Sequence, residues 1–490
     1  MAPAGVVTVG LAAVEAAVAE LDLEALAGQR WFAAKGSTPT SARVAHAFAL
    51  SDAAVLALID LYAGERTDRY AMAFGVSDGA LRPAVEGDGT WRALAVAIAE
   101  GRTVGALPRD GEVAGPSAAL VCAPSPGLAD LWDVVTLGPV AGAGERPLGR
   151  DQSNTSVILG ERLLLKAYRR IQPGLNPDLE LTAYLSEEAR IPRVPRLAGS
   201  AEVVTRDAGV ATVAMLQAFV PGGEDAYEST AERLAARIAG SAPPDLEADT
   251  DIAEDLGILV AGLHAALASP PADAPDLAPR AAGHDDLRAW RIDATRQLNA
   301  AVAAVATVDH GLADELRADA PEITARFSRF EAVATAPLVI RIHADLHLGQ
   351  VLIADDGYRV VDFEGEPLRP IEDRRRLDSP LRDVASMLRS LDHVARSARR
   401  RAESRAGGRI ERPGLDVEAW LERARDRFLA AYAVTLKRTA APIVVDLDLL
   451  DAFEVAKESY EFEYAATVLP TWLWAPRDGM RWLLARGGSA

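Results

Sequence analysis

Apolar residues fall in short β-like runs over the first half of the chain and recur at helical spacing over much of the second. A helical stretch at 11–26 leads into β-like runs at 44–50, 55–62 and 70–74, and a helix follows at 91–100. Residues 108–129 are rich in Gly, Pro, Ala and Ser and read as a connector. From 131 to 220 the pattern is β-rich with one helix, which opens at Asn176-Pro177. After 220 helical periodicity takes over, at 227–240, 251–268, 285–305 and 310–332, with loops at 241–250 and 270–279. The pattern predicts an α+β protein in three parts: 1–107, 108–220 and a mostly helical 221–490.

One stretch breaks the helical pattern, PLVIRIHADLHLGQVLIADDGYRVVDFEGEP at 337–367. A β-rich run precedes the polar loop HADLHLGQ, and two short apolar runs flank Asp355-Asp356-Gly357, a hairpin turn signal. The hairpin carries the loop before it towards the Asp-Phe-Glu after it, which gathers Asp345, Gln350 and Asp362. Two carboxylates and an amide oxygen suit a hard cation such as Mg²⁺. His343 and His347 are four apart, but Ala344 stands where a zinc hydrolase helix carries glutamate, so zinc is disfavoured.

Other positions invite chemistry. Lys166 lies inside an apolar strand and points into a cleft, where a phosphate offsets its charge, with Glu180 on the next helix in reach. Ser153, Asn154, Thr155 and Ser156 form a polar turn whose N–H and hydroxyl groups can approach phosphates. Residues 215–220, with Gln217, Phe219 and Val220, read as an extended hinge for a purine. Asp383 begins a helix that runs to about 397, before an exposed basic loop at 398–413. On 448–468, Glu454, Lys457 or Glu458, Glu461 and Tyr464 share one side, where a cation would relieve the serial carboxylates. Trp472 and Trp474 follow, as aromatic faces that can support a sugar ring.

Composition narrows the class. At 490 residues and 49% hydrophobic, the chain can bury a large core. Its single cysteine, Cys122, fits a reducing compartment. Neither a basic, uninterrupted leader nor a membrane-length apolar run is read, so a cytoplasmic protein is expected. A net charge of −19 disfavours nucleic acid and anionic membranes as partners and is compatible with a cationic small molecule.

H-x-D, an amide residue, a hairpin and D-F-x together resemble the catalytic loop and metal motif of the protein-kinase-like fold, in its aminoglycoside phosphotransferase branch. HADLHLGQ with DFEGEP is closer still to the maltokinases and the actinobacterial glucosamine kinases, which share the glutamine at Gln350. Arg30-Trp31-Phe32 with Lys35-Gly36 resembles the entry to the maltokinase N-terminal cap, and 151–156 resembles that family's D-Q-S-N-T-S. The resemblance implies a bilobal fold with an added N-terminal α/β cap and a helical C-terminal lobe.

It also implies ATP- and Mg²⁺-dependent phosphorylation of a small acceptor. Asp345 would be the base, Gln350 and Asp362 the metal ligands, and Lys166 with Glu180 the phosphate-neutralising pair. His343 and Asp383 would hold the catalytic loop, and His347, Lys457, Glu458, Glu461, Tyr464 and Trp472 would meet the acceptor. The W-x-W-A-P ending resembles the glucosamine kinases, which makes D-glucosamine, phosphorylated at O6, the expected acceptor. Maltose, an aminoglycoside, or a catalytically silent sensor are the alternatives, and a monomer or homodimer is expected.

Overall fold

A computed structural model describes residues 9–29, 32, 38–109, 117–132, 144–149, 154–206, 209–240, 245–272, 274–366 and 369–487. The chain forms two compact units, one of residues up to 222 together with 366–374, the other of 223–365 and the residues from 375 onward.

The first unit is built on two antiparallel sheets. Strands Ser41–Ser51, Ala54–Ala63 and Arg66–Ser77 form a meander, with Ala80–Pro83 beside the third. Arg170–Ile171 completes this sheet by pairing with Tyr70 and Arg69, and Arg170 also reaches Asp68 at 3.1 Å. The second sheet runs Thr103–Gly105, Ala118–Pro124, Leu197–Thr205, Gly209–Ala218, Leu163–Ala167, Thr155–Leu159, Glu145–Pro147 across its width. One hydrophobic core joins Phe48 and Leu56 of the first sheet to Leu165 and Leu216 of the second, so the sequences on either side of 107 share an interior.

Two expectations change here. Residues 118–124, read as connector, form an interior strand, because Ala118, Leu120 and Cys122 alternate inward beneath the small-residue composition. The stretch at 11–26 is two helices, Leu11–Ala19 and Leu23–Ala27, the second capped by the Asp22 side chain. Helix α1, Pro177–Ala183, opens as its sequence predicts, with the Asn176 side chain accepting from Asp178 N–H.

The second unit is helical around one hairpin. Its helices include α2 (Asp251–Leu267), α3 (Pro380–Arg405), α4 (Val417–Arg438), α5 (Leu447–Val468) and α6 (Trp474–Gly487). Two more, His284–Ala306 and His310–Phe327 with the 3-10 turn Ser328–Glu331 that follows it, support α5 through an aromatic cluster in which Trp290 and Phe330 meet Phe453 at 5.3 and 4.8 Å. Gly257 lets α2 and α4 approach closely, since a Cβ there would lie 2.4 Å from the Phe428 carbonyl oxygen. α3 runs eight residues further than expected, to Arg405, because Arg401 and Arg405 pair with Glu228 and Glu232 on the neighbouring helix Ala226–Ala239. The hairpin Val351–Ala354 and Gly357–Val360 forms where the sequence predicts one, turning over Asp355-Asp356 with Ala354 paired to Gly357. Among the described residues no helix is long and apolar enough to cross a membrane.

Candidate active site

In the first unit, Lys166 lies on a strand between Ser156 and Met215 and is 8% exposed. Its ammonium meets Asp178 Oδ2 at 2.6 Å, and the Tyr168 hydroxyl donates to the same oxygen at 3.0 Å. Asp178, two residues before the expected Glu180, is thus a carboxylate bonded to the lysine here. Proline at the start of α1 and the Asn176 cap fix the first turn, and Asn176 is itself tied to Thr212 Oγ1 at 3.0 Å. Asp178 was missed because first-turn carboxylates are usually solvated helix-end groups. A buried carboxylate and ammonium hold each other charged, and removing one leaves the other stranded.

Asn154 is buried beside the start of its strand, and Thr155 Oγ1 accepts from Arg169 Nε at 2.9 Å. Ser153 lies outside the described residues, as do Trp31 and Lys35. Gln217 is buried on its strand, while the Phe219 N–H donates to the Arg162 carbonyl at 2.8 Å and Arg146 stacks on its ring. That N–H extends the sheet ladder, and Val220 follows, half-buried.

In the second unit the loop 343–350 is held from several sides. Asp383, on α3, accepts the N–H groups of His343 at 2.8 Å and of Ala344 at 2.9 Å. This fixes Ala344 at φ +66°, a left-handed conformation that a residue with a Cβ adopts at a cost of about 1–3 kcal/mol. His343 spans the loop, its Nε2 donating to the Val361 carbonyl at 3.1 Å and its Nδ1 facing the Asp345 N–H at 3.4 Å. Ser390 Oγ accepts from Leu348 N–H at 3.0 Å. The Gln350 carbonyl accepts from Val361 N–H at 3.0 Å, so the hairpin sets Gln350 beside the chain that turns into Asp362, itself at φ +68°. Gln350 and Asp362 thus adjoin the loop that carries Asp345, and their oxygen donors suit a hard cation.

Helix α5 presents two polar faces. On one, Lys457 lies 3.0 Å from Glu461 Oε1 and 3.9 Å from Asp345 Oδ1, with its ammonium 4.5 Å from the Tyr460 ring centre. Tyr464 stacks on Tyr460, and His347 Nε2 lies 3.9 Å from Asp345 Oδ2. His347 Nδ1 accepts from Gly349 N–H at 3.1 Å, which leaves the proton on Nε2. Desolvation by the surrounding protein and then the Lys457 ammonium hold this imidazole below its ordinary value. Burial alone would raise the Glu461 carboxyl, but Lys457 and the neighbouring histidines bring it below the usual carboxylate range.

The other face turns inward. Glu454 is fully buried and accepts from Arg389 Nη2 at 3.0 Å and from Arg425 Nη1 at 2.6 Å. Glu458, expected at the acceptor, is also fully buried and takes a 3.0 Å bond from His393 Nε2. The cation that relieves these carboxylates belongs to the protein. Trp472 lies edge-on to His393 at 4.9 Å and to Trp474 at 6.1 Å, so the buried pair backs the tryptophan rather than meeting an acceptor. Arg389 and His393 were missed because nothing local in the sequence separates a helical cation that packs inward from one that meets solvent.

Comparison with known proteins places this arrangement. Residues 144–441 match the phosphotransferase enzyme family, and residues 26–104 match the maltokinase N-terminal cap domain. A glucosamine kinase of Streptacidiphilus jiangxiensis is 33% identical over 82% of this chain and 83% of its own. A glucosamine kinase of Mycolicibacterium smegmatis (strain ATCC 700084 / mc(2)155) is 31% identical over 71% of this chain and 81% of its own. A solved glucosamine kinase in complex with glucosamine, ADP and inorganic phosphate superposes with a TM-score of 0.68 at 26% identity, covering 96% of this chain and 99% of that one. Another crystal form of a glucosamine kinase gives 0.71 at 26% identity, over 96% and 99% of the two chains.

Proposed function

The chain belongs to the phosphotransferase enzyme family and, within it, to the glucosamine kinases, and from that premise we propose that it transfers the γ-phosphate of ATP to O6 of D-glucosamine. The observation that carries the acceptor is the outward face of α5: a carboxylate, Glu461, stands one lysine away from Asp345, 3.0 and 3.9 Å from the same ammonium. A protonated amino sugar brings a cation and hydroxyls to such a face, whereas maltose brings hydroxyls alone.

In the proposed reaction Asp345 orients the acceptor hydroxyl and takes its proton as the oxygen attacks phosphorus. Lys457, 3.9 Å from Asp345 Oδ1, helps hold that carboxylate in place. His347, with its proton on Nε2, donates towards the same acceptor. Lys166, fixed by Asp178, neutralises phosphate oxygens of the nucleotide. Gln350 and Asp362 would hold Mg²⁺, which when bound supplies charge neutralisation on the phosphates. Glu461 accepts from the amine of the sugar as well as from Lys457, while Trp472 and Tyr464 offer aromatic faces to the ring.

Coupled ADP release with glucosamine, glucose, maltose, N-acetylglucosamine and an aminoglycoside tests the reading. Glucosamine is expected to give the highest kcat/KM; a higher value for maltose or the aminoglycoside overturns the acceptor assignment. Asp345→Ala is expected to lower kcat about 10²–10⁴-fold with nucleotide binding retained. Turnover unchanged in that variant removes Asp345 from the mechanism.

A further inference from the structure

Behind the catalytic loop, α2 and α4 contribute two polar side chains that the reaction above does not use. His264 and Tyr432 are both fully buried. His264 Nδ1 lies 2.8 Å from the Tyr432 hydroxyl, and His264 Nε2 lies 3.3 Å from Asp383 Oδ2. That same Asp383 oxygen accepts the His343 N–H, and its other oxygen accepts that of Ala344.

Burial and the Asp383 charge hold the Tyr432 hydroxyl well above its ordinary value, so it keeps its proton. Asp383, bonded by two backbone N–H groups, acts as acceptor. The only arrangement that satisfies every atom has Tyr432 donating to Nδ1 and Nε2–H donating to Asp383. We propose that Tyr432 and His264 form a buried relay of hydrogen bonds that sets the orientation of the Asp383 carboxylate and, through it, the backbone that presents Asp345.

His264 and Tyr432 are positioning residues here, since neither touches a reacting group. The relay has a mechanical reason to exist. Asp383 must hold both its oxygens against two consecutive N–H groups while Ala344 sits at φ +66°. A carboxylate free to rotate about its terminal torsion would let that turn relax. A third donor, anchored on another helix, removes the freedom. The close approach of α2 and α4 at Gly257 and Phe428, seven and four residues before His264 and Tyr432, brings the pair within bonding distance.

The proposal rests on Asp345 being the base, and the two can fail separately. In the full-length enzyme, His264→Ala is expected to lower kcat per folded molecule on the order of 10²-fold, with the KM values for ATP and glucosamine within about threefold of the parent. His264→Gln, whose amide can still donate to Asp383, is expected to recover most of that loss, and Tyr432→Phe to cost roughly threefold to tenfold. Nitrogen-15 shifts of His264 are expected to show the proton on Nε2.

A His264→Ala enzyme with parental kcat, or a glutamine variant as slow as the alanine one, overturns the relay. So does a proton on Nδ1. If the alanine variant does not fold, Tyr432→Phe and the nitrogen shifts decide alone: unchanged kcat in the former with Nδ1–H in the latter overturns it. An active Asp345→Ala enzyme sinks the base assignment instead, whatever the His264 variants do.

Discussion

The two polar faces of α5 carry similar side chains and do opposite things. Glu454 and Glu458 share no exposed surface; Arg389, Arg425 and His393 neutralise them inside the helical unit. Lys457, Glu461 and Tyr464, at the same spacing one residue step around the helix, sit partly exposed beside Asp345. A glutamate series on a helix is therefore two different objects. Where α3 covers it, the charges are structural and hard to lose. Where the helix faces the catalytic loop, they can be shared with a ligand.

The largest expected break in this contrast is Arg389→Ala. It removes the more deeply buried of the two guanidinium groups on Glu454, the one that donates twice to Oε1, leaves only Arg425 there, and is expected to lower stability by about 3–5 kcal/mol, measured by urea unfolding. The glucosamine KM of the folded fraction should hardly change.

Glu461→Gln is expected to do the reverse. It should raise KM for glucosamine roughly tenfold to a hundredfold, as loss of a charge-assisted hydrogen bond does, with little change in unfolding midpoint. Glucose, lacking the amine, should be affected much less; equal losses on both sugars would detach Glu461 from amine recognition.

Gly479→Ala sharpens the inward side. A Cβ there would lie 2.3 Å from Glu458 Oε1 and 2.9 Å from Asp392 Oδ2, two carboxylate ends held in place by His393 and Arg396 at 3.0 Å each. A loss of about 1–3 kcal/mol is expected in thermal unfolding; an unperturbed midpoint would mean the helices slide easily.

The smallest effect is in pH. Burial would lower the His393 imidazole, but Glu458, by charge and by hydrogen bond, raises it. A group whose pKa is higher in the folded than in the unfolded chain stabilises the fold fully below the unfolded value and loses that contribution as pH rises through the folded one. Burial also raises the Glu458 carboxyl, which acts in the same sense. Unfolding midpoints should therefore fall as pH rises above the ordinary histidine range, and His393→Gln should flatten that part of the profile.

Legibility in the sequence followed the range of the interaction. The hairpin at 351–360 and the Asn176-Pro177 helix start are local, and turn chemistry and spacing reveal them. The strand at 118–124 escaped because alanine alternation is weak, and α3 ran on because Arg401 and Arg405 found glutamates far away in sequence.

By itself the sequence determined the protein-kinase-like α+β class, the loop that bears the proposed base, and the lysine set inside a strand. Only the tertiary structure decided that Asp178 bonds that lysine, that Glu458 is an internal counter-ion, and that Asp383 grips the loop from behind. The reason is physical. Periodicity says which side chains share a face, but a charge is structural or functional according to what packs against it, and those neighbours come from helices tens to hundreds of residues away.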